Sequence, residues 1–432
     1  MKEVTKVAVA ASAGTAMEYY DLFLAAPVSA LVWTSLYFRY LPAATAVAMS
    51  MVSFFVSYIT RPVGAVIFGH YTDRLGRKKV LIVTLIVSGV ATVGLALTPG
   101  YLAIGMTAPI LIIFWRLVFG LGMGGEQGGA QSWIGEFCDP KRRGFWTSVV
   151  YTGSIGGSAL GSLSLVVCQI ATGQAFFDWG WRIAYGVGFL GLVVAGIVRM
   201  KTRESPIFQK AIQAGFVERA PSVQVLKKCW RTILLGTFSI FCTGAGGFVI
   251  NNGPYAVALM QAGHVDALTI NECFLVSSAI AFLTIMGTGL AADKIGRRRS
   301  GLLGIAGTAA MTGPAFFMLT SGNPLMIIFN QALAFTFHAG FFAAAFMTTL
   351  VEKFPTRYRA SGVGFTYQFG LAISTVLLTG AVLPWIIATM GVLNAYPYAA
   401  LLILVAGCIS LVCYYTLGET RGVDLEAVAT PK

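Results

Sequence analysis

Six ionisable side chains lie inside long apolar stretches of this sequence: Glu18, Asp21, Arg61, Arg116, Glu126 and His338. A charge in an apolar medium is costly unless it is paired or used, so these positions point to proton exchange, ion pairing or capture of a charged solute. Glu18 and Asp21 are three residues apart and share one helix face. A rise of about 1.5 Å per residue puts Glu18, Arg61 and Glu126 at similar depth, roughly 12–17 Å from one end of their helices. Asp21 comes out deeper, and Arg116 nearer the far end. This spacing predicts a buried charge cluster in which Arg61 pairs with Glu18 or Glu126. Asp21 is left with less compensation, and such a carboxylate can take and release a proton near neutral pH. Asp21 is therefore the first candidate for proton coupling, with Glu18, Arg116 and Glu126 around it. Fixed ion pairs tying helices together are the competing reading.

The elements that must position these groups are membrane helices. The chain has 432 residues, is 56% hydrophobic and only 11% charged, and its mean hydropathy is +0.76. Soluble chains carry about 25% charged residues, so lipid is the expected solvent. Apolar runs at 7–36, 44–69, 79–98, 108–135, 145–172, 181–200, 231–261, 270–292, 301–320, 325–351, 360–388 and 395–416 are each long enough to span a bilayer. The first run is too long and too acidic for a cleaved signal segment, and is expected to be retained as a span. The net charge of +13 does not imply nucleic acid, because the basic residues fall in short clusters between the runs. Of the 30 Lys and Arg, all but Arg39, Arg61, Arg116 and Arg182 belong to the termini, the even-numbered connections or residues 199–231. By the positive-inside rule, both termini and the central connection are cytoplasmic. The seven cysteines form no CxxC or Cys/His set, so neither a disulfide framework nor a metal site is expected.

The chain also repeats itself. GHYTDRLGRKK at 69–79 matches GLAADKIGRRR at 289–299, so that Asp73, Gly76 and Arg77 align with Asp293, Gly296 and Arg297. EFCDPKRRG from Glu136 matches EKFPTRYRASG from Glu352. Two loops repeated in order imply two homologous six-helix halves, 1–200 and 231–432, joined by a polar linker at 201–230. Parallel halves of this kind enclose a solute site near the bilayer midplane. Asp73, Arg77, Glu136, Arg143, Asp293, Arg297, Glu352 and Arg359 are candidates for ion pairs that close a cytoplasmic gate. Orientation alone accounts for basic residues there, but it does not require the acids.

Other candidates for solute contact are spread over several spans. FVINNGPYA places Asn251, Asn252, Gly253 and Pro254 where a helix should be continuous. A proline there frees a carbonyl for a cavity, and Tyr255 follows it. Tyr20, Arg61, Gln127, Gln131, Tyr151, His338, Tyr367 and Gln368 lie at depths that suit the same cavity. An interhelical hydrogen bond explains any one of them equally well. No Walker or dinucleotide fingerprint is present, and no nucleophile, base and orienting group assemble in the motifs, so neither ATP-driven transport nor enzymatic activity is expected.

GHYTDRLGRKK resembles the motif between helices two and three of the major facilitator superfamily. WRLVFGLGMGG, with Arg116, Gly120, Gly122 and Gly124, resembles its fourth-helix motif. EYYDLFL, RPVGAVIFG, GGEQGGA, RRGFWTS, WRIAYGVGFL, RESPIF and EKFPTRYRASGVGFTYQ are similar to the metabolite:proton symporters, whose members move citrate, 2-oxoglutarate, shikimate, proline or betaine. Thr15 and Tyr19 depart from the Asn and Trp usual at those places, and the terminal GETRG resembles the sugar-porter ending. The resemblance implies an all-α fold of twelve helices in two pseudo-symmetric bundles. It also implies proton-coupled symport of a small organic acid or zwitterion across the plasma membrane by alternating access, by a monomer using the proton as coupling ion and no other cofactor. A sugar or metabolite uniporter or exchanger without proton coupling is the alternative, and a solute sensor a remoter one.

Overall fold

The computed structural model describes residues 2–213 and 218–425. Eleven helices among the described residues are long and apolar enough to cross a membrane. They are α2 (Thr45–Leu75), α3 (Arg77–Leu97), α4 (Thr107–Gly135), α5 (Pro140–Phe176), α6 (Trp181–Met200), α7 (Pro221–Ala262), α8 (Ala267–Ile295), α9 (Arg297–Leu319), α10 (Pro324–Lys353), α11 (Thr356–Met390) and α12 (Tyr396–Leu417). Preceding them, α1 (2–36) carries Glu18 and Asp21 and packs along α5, completing twelve helices in two bundles. The described residues contain no strand. Polarity is inverted relative to a soluble protein. Large apolar side chains such as Ile86, Val90, Leu283 and Phe317 point outward, while Arg61, Arg116, Glu126 and Gln127 are buried.

Local sequence explains the breaks. Gly76 and Gly296 separate α2 from α3 and α8 from α9 at φ 107° and 99°, a conformation that side-chain-bearing residues rarely adopt. Asp266 and Asn323 cap α8 and α10 through their side chains. The seventh span begins at Pro221, earlier than the hydropathy profile indicates, and bends at Cys229, where φ is −118°. Its polar first turns are amphipathic rather than apolar, and a hydropathy window misses them.

Within the N-terminal half, α1 and α5 meet backbone to backbone. A Cβ on Gly157 would lie 2.2 Å from the Ala16 carbonyl oxygen. Between halves, α5 packs along α8, and α2 along α11.

Candidate functional site

A cavity of about 60 Å³ lies between the halves, bordered by α1, α2, α5, α7, α10 and α11. Its wall is aromatic and hydroxylic: Tyr19, Phe23, Tyr58, Tyr151, Phe248 and Tyr367, with Thr243, Ser154 and His338. Ligand pockets usually start at about 300 Å³, so this is a contracted space. Toward the basic end of the molecule, the Tyr19 and Tyr367 hydroxyls meet across the halves at 3.2 Å. Toward the opposite end, Phe248 of α7 sits in a cluster with Phe54, Phe55 and Tyr58 of α2, at ring-centroid distances of 5.9, 5.6 and 5.6 Å.

Of the solute-site candidates, Tyr151, His338 and Tyr367 line this cavity. The others do not. Tyr20 turns away to donate to the Ala184 carbonyl at 2.7 Å. Tyr255 donates to Val392 O at 2.8 Å and stacks on Tyr396. Gln368 crosses to Met123 O at 3.2 Å. Gln127 and Gln131 are buried in α4 with unpartnered amides, off the cavity wall. The helix does break before Pro254, but the freed carbonyls do not face the cavity. Asn330 and Gln331 of α10 cap Ile250 O and Asn251 O at 2.7 and 3.3 Å. Asn251's own amide is buried without a partner, and the side chain of Asn252 lies outside the described residues. His338 bonds its own helix, Nδ1 to Ala334 O at 2.9 Å, while facing the cavity.

Beside the cavity, α1, α2, α3, α4 and α6 bury three carboxylates and three guanidinium groups. The expected pairing of Arg61 with Glu18 or Glu126 is not found. Glu126 is instead held by both terminal nitrogens of Arg199, one of them at 2.9 Å, and by Thr15 at 3.3 Å. Arg199 also donates to Leu81 O at 2.8 Å, so it closes α6 onto α3 as well as α4. Its place at the end of an apolar run disguises it in the sequence as a loop residue. Nor is Asp21 under-compensated. Arg116 reaches it at 3.1 Å and Thr92 donates to it at 2.8 Å. Glu18 is the acid left short: Ser88 donates to Oε1 at 3.1 Å, and Oε2 has no partner. Arg61 is its counterpart among the bases. It is 1% exposed, its guanidinium carbon lies 3.6 Å from the Tyr58 ring centroid, and Nε and Nη2 are unpartnered.

One feature of α3 organises these acids. Thr84, Ser88 and Thr92, spaced one turn apart on a single face, address Glu126, Glu18 and Asp21 in turn, the first at 3.5 Å. The spacing is visible in the sequence, but hydroxyls in an apolar helix usually bond their own backbone and carry no signal alone.

At the basic end, all eight residues of the repeated loops meet. Glu136 accepts from Arg77 of its own half at 3.1 Å and from Arg359 of the other at 2.7 Å. Asp73 accepts the backbone N–H groups of Ala360 and Ser361, at 3.2 and 2.8 Å, at the start of α11. The mirror set repeats this. Glu352 accepts from Arg143 at 2.9 Å and Arg297 at 3.3 Å, and Asp293 accepts Gly144 N and Phe145 N, both at 2.9 Å. Burial pushes the Glu136 carboxyl up, but Arg77 and Arg359 outweigh it and hold the group below its ordinary 4.5.

A third repeat, not evident from motif matching, completes the rim. Glu204 accepts from Arg77 N and Lys78 N, both at 3.1 Å, and Ser205 donates to Glu136. In the other half, Glu419 accepts from Arg297 N and Arg298 N at 3.0 and 3.1 Å, and Thr420 donates to Glu352. Among the described residues, no group of three or more His, Cys, Asp or Glu is placed to hold a metal ion.

The Major Facilitator Superfamily model matches residues 11–379. The inner membrane metabolite transport protein YhjE of Escherichia coli is 30% identical over 426 residues, 96% of this chain and 94% of that one. The proline/betaine transporter of E. coli is 28% identical, covering 99% and 86%. The citrate-proton symporter of Salmonella typhi is 29% identical, covering 84% and 82%. Among solved structures, the proton:xylose symporter XylE bound to 6-bromo-6-deoxy-D-glucose aligns over 99% of this chain and 98% of its own, with a TM-score of 0.74. At 15% identity that likeness concerns the fold alone.

Proposed function

We propose that this chain, which belongs to the Major Facilitator Superfamily, is a proton-coupled symporter of a small organic acid or zwitterion. It works by alternating access in the plasma membrane, with the basic rim and both termini in the cytoplasm. The observation that carries the reading is Arg61, a buried guanidinium with no carboxylate partner among the described residues, set against Tyr58 of the cavity wall. An uncommitted buried cation is costly, and a solute carboxylate is the group that compensates it. The buried acids of α1 and α4 supply proton sites within the same half. The YhjE, citrate-proton and proline/betaine relatives support a metabolite as cargo.

By alternating access, the cavity opens to one side at a time. The rim pairs between halves close it toward the cytoplasm, and the Phe248 cluster closes it toward the opposite side. A single chain encloses the whole path, which supports a monomer as the working unit. The test is uptake into proteoliposomes of a panel of carboxylates, amino acids and sugars, with and without an inward proton gradient. The proposal expects accumulation of a carboxylate or zwitterion that a protonophore abolishes.

A second reading has one observation in its favour: among the described residues, no charged side chain lines the cavity itself. That suits an uncharged solute such as a sugar, moved by a uniporter. Downhill sugar entry insensitive to a protonophore would select it.

A further inference from the structure

The N-terminal half buries Glu18, Asp21 and Glu126 together with Arg61, Arg116 and Arg199. Two of these acids and two of these bases pair: Asp21 with Arg116, and Glu126 with Arg199. Glu18 and Arg61 remain, one of each sign, and each has polar atoms with no partner. Among the described residues, Ser88 is the only hydrogen-bond donor to Glu18. The groups facing it are Arg61 from α2, Glu126 from α4 and Arg199 from α6, the last already committed to Glu126. With Glu18 ionised, the two leftover charges compensate at a distance. With Glu18 neutral, Arg61 stands as an excess cation against the cavity wall.

We propose that Glu18 and Arg61 form a charge switch, in which a proton on Glu18 and an anionic solute group on Arg61 bind together. The inference rests on the carboxylate reading above and assigns the coupled proton to Glu18 rather than to Asp21. Asp21 keeps its proton-independent partners, Arg116 and Thr92, and ties α1 to α4 and α3. Binding of acid and anion together leaves the net charge of the half unchanged, so neither species enters alone without cost. Protonation places the hydrogen on Oε2, the oxygen that lacks a donor.

The test uses the purified full-length protein in lipid and reads the infrared C=O stretch of protonated carboxyl groups across a pH titration. A band titrating in the wild type should be lost in Glu18→Gln and persist in Asp21→Asn. Ser88→Ala, which removes the one donor, should shift its frequency while keeping it. A titrating band unchanged in Glu18→Gln, or unmoved by Ser88→Ala, overturns the assignment. A second arm measures binding of acetate, propionate and succinate against pH. One proton per anion gives about a tenfold loss of affinity per pH unit above the Glu18 midpoint, and Glu18→Gln should flatten that slope. A slope kept by Glu18→Gln overturns the switch even where proton-driven carboxylate uptake is established. If none of the three anions binds, the carboxylate reading fails, and the infrared arm still decides Glu18.

Discussion

Glu136 is the acid on which Arg77 of one half and Arg359 of the other converge, at 3.1 and 2.7 Å, with all three side chains buried. Glu136→Gln removes that shared charge. Breaking a buried ion pair by losing one partner costs about 3–5 kcal/mol. Glutamine keeps a carbonyl acceptor, and Asp73 still faces Arg77 at 3.4 Å, so the closed rim should lose about 2–3 kcal/mol. At about 1.4 kcal/mol per factor of ten, the closed-to-open ratio falls roughly 30- to 150-fold. Cys138 reports the change. It lies two residues on, is 8% exposed, and burial pushes its thiol up to about 12, so it is unreactive while the rim is closed. Maleimide labelling of Cys138, with the other cysteines replaced, should accelerate by that factor until the open form dominates. Combining Glu136→Gln with Arg359→Gln should add little, since both remove one contact. The sign with pH follows from the depressed Glu136 group. Its contribution is complete above the ordinary 4.5 and is lost only as pH falls through the lower, closed-state value. The ratio of Glu136→Gln to wild-type labelling, in which the thiolate fraction and the other titrating groups of the rim cancel, should therefore be flat from about pH 5 to 8. A Glu136→Gln rate within about twofold of wild type would refute the rim as the barrier.

Three further outcomes follow from the packing. Glu126→Gln or Arg199→Gln should each destabilise the purified protein by about 3–5 kcal/mol, read as a fall in thermal midpoint, and the double replacement should recover much of the loss. A Cβ on Gly128 would lie 2.5 Å from Ala360 O in the other half, so Gly128→Val should speed Cys138 labelling without altering any charge; an unchanged rate would mean α4 and α11 do not separate on opening. Tyr58→Leu, which strips the wall beside Arg61, should abolish uptake in proteoliposomes, whereas Tyr255→Phe, off the cavity, should change it by less than about twofold; equal effects would displace the solute site from the Tyr58 side.

The twelve helices were legible because lipid imposes length and apolarity directly on the sequence. The rim was legible in part, because Asp73, Arg77 and Glu136 recur as Asp293, Arg297 and Glu352 in the same order. Glu204 and Glu419 lie in RESPIF and GETRG, but a Glu followed by a hydroxyl residue is too short to show as a repeat, and each acts through its carboxylate on backbone N–H groups that carry no sequence signal. Pairing inside the bundle was not legible. Depth follows from residue count, but the direction a side chain takes depends on helix rotation and on which neighbour packs there. Glu18 and Asp21, three residues apart, therefore exchange their expected standing: Arg116 comes from α4 to the deeper acid, and α6 brings Arg199 to Glu126. The Asn-Asn-Gly-Pro stretch likewise marked the break at Pro254 without revealing that Asn330 and Gln331 fill it.

Proton movement with solute is the claim on which the account stands. Proteoliposomes carrying the protein and a trapped pH-sensitive dye, clamped at zero membrane potential, can be given an accumulated carboxylate from the panel on the outside. The lumen should acidify in step with solute entry, and Arg61→Gln should abolish both. Entry of the same solute with no change in lumenal pH would contradict that claim.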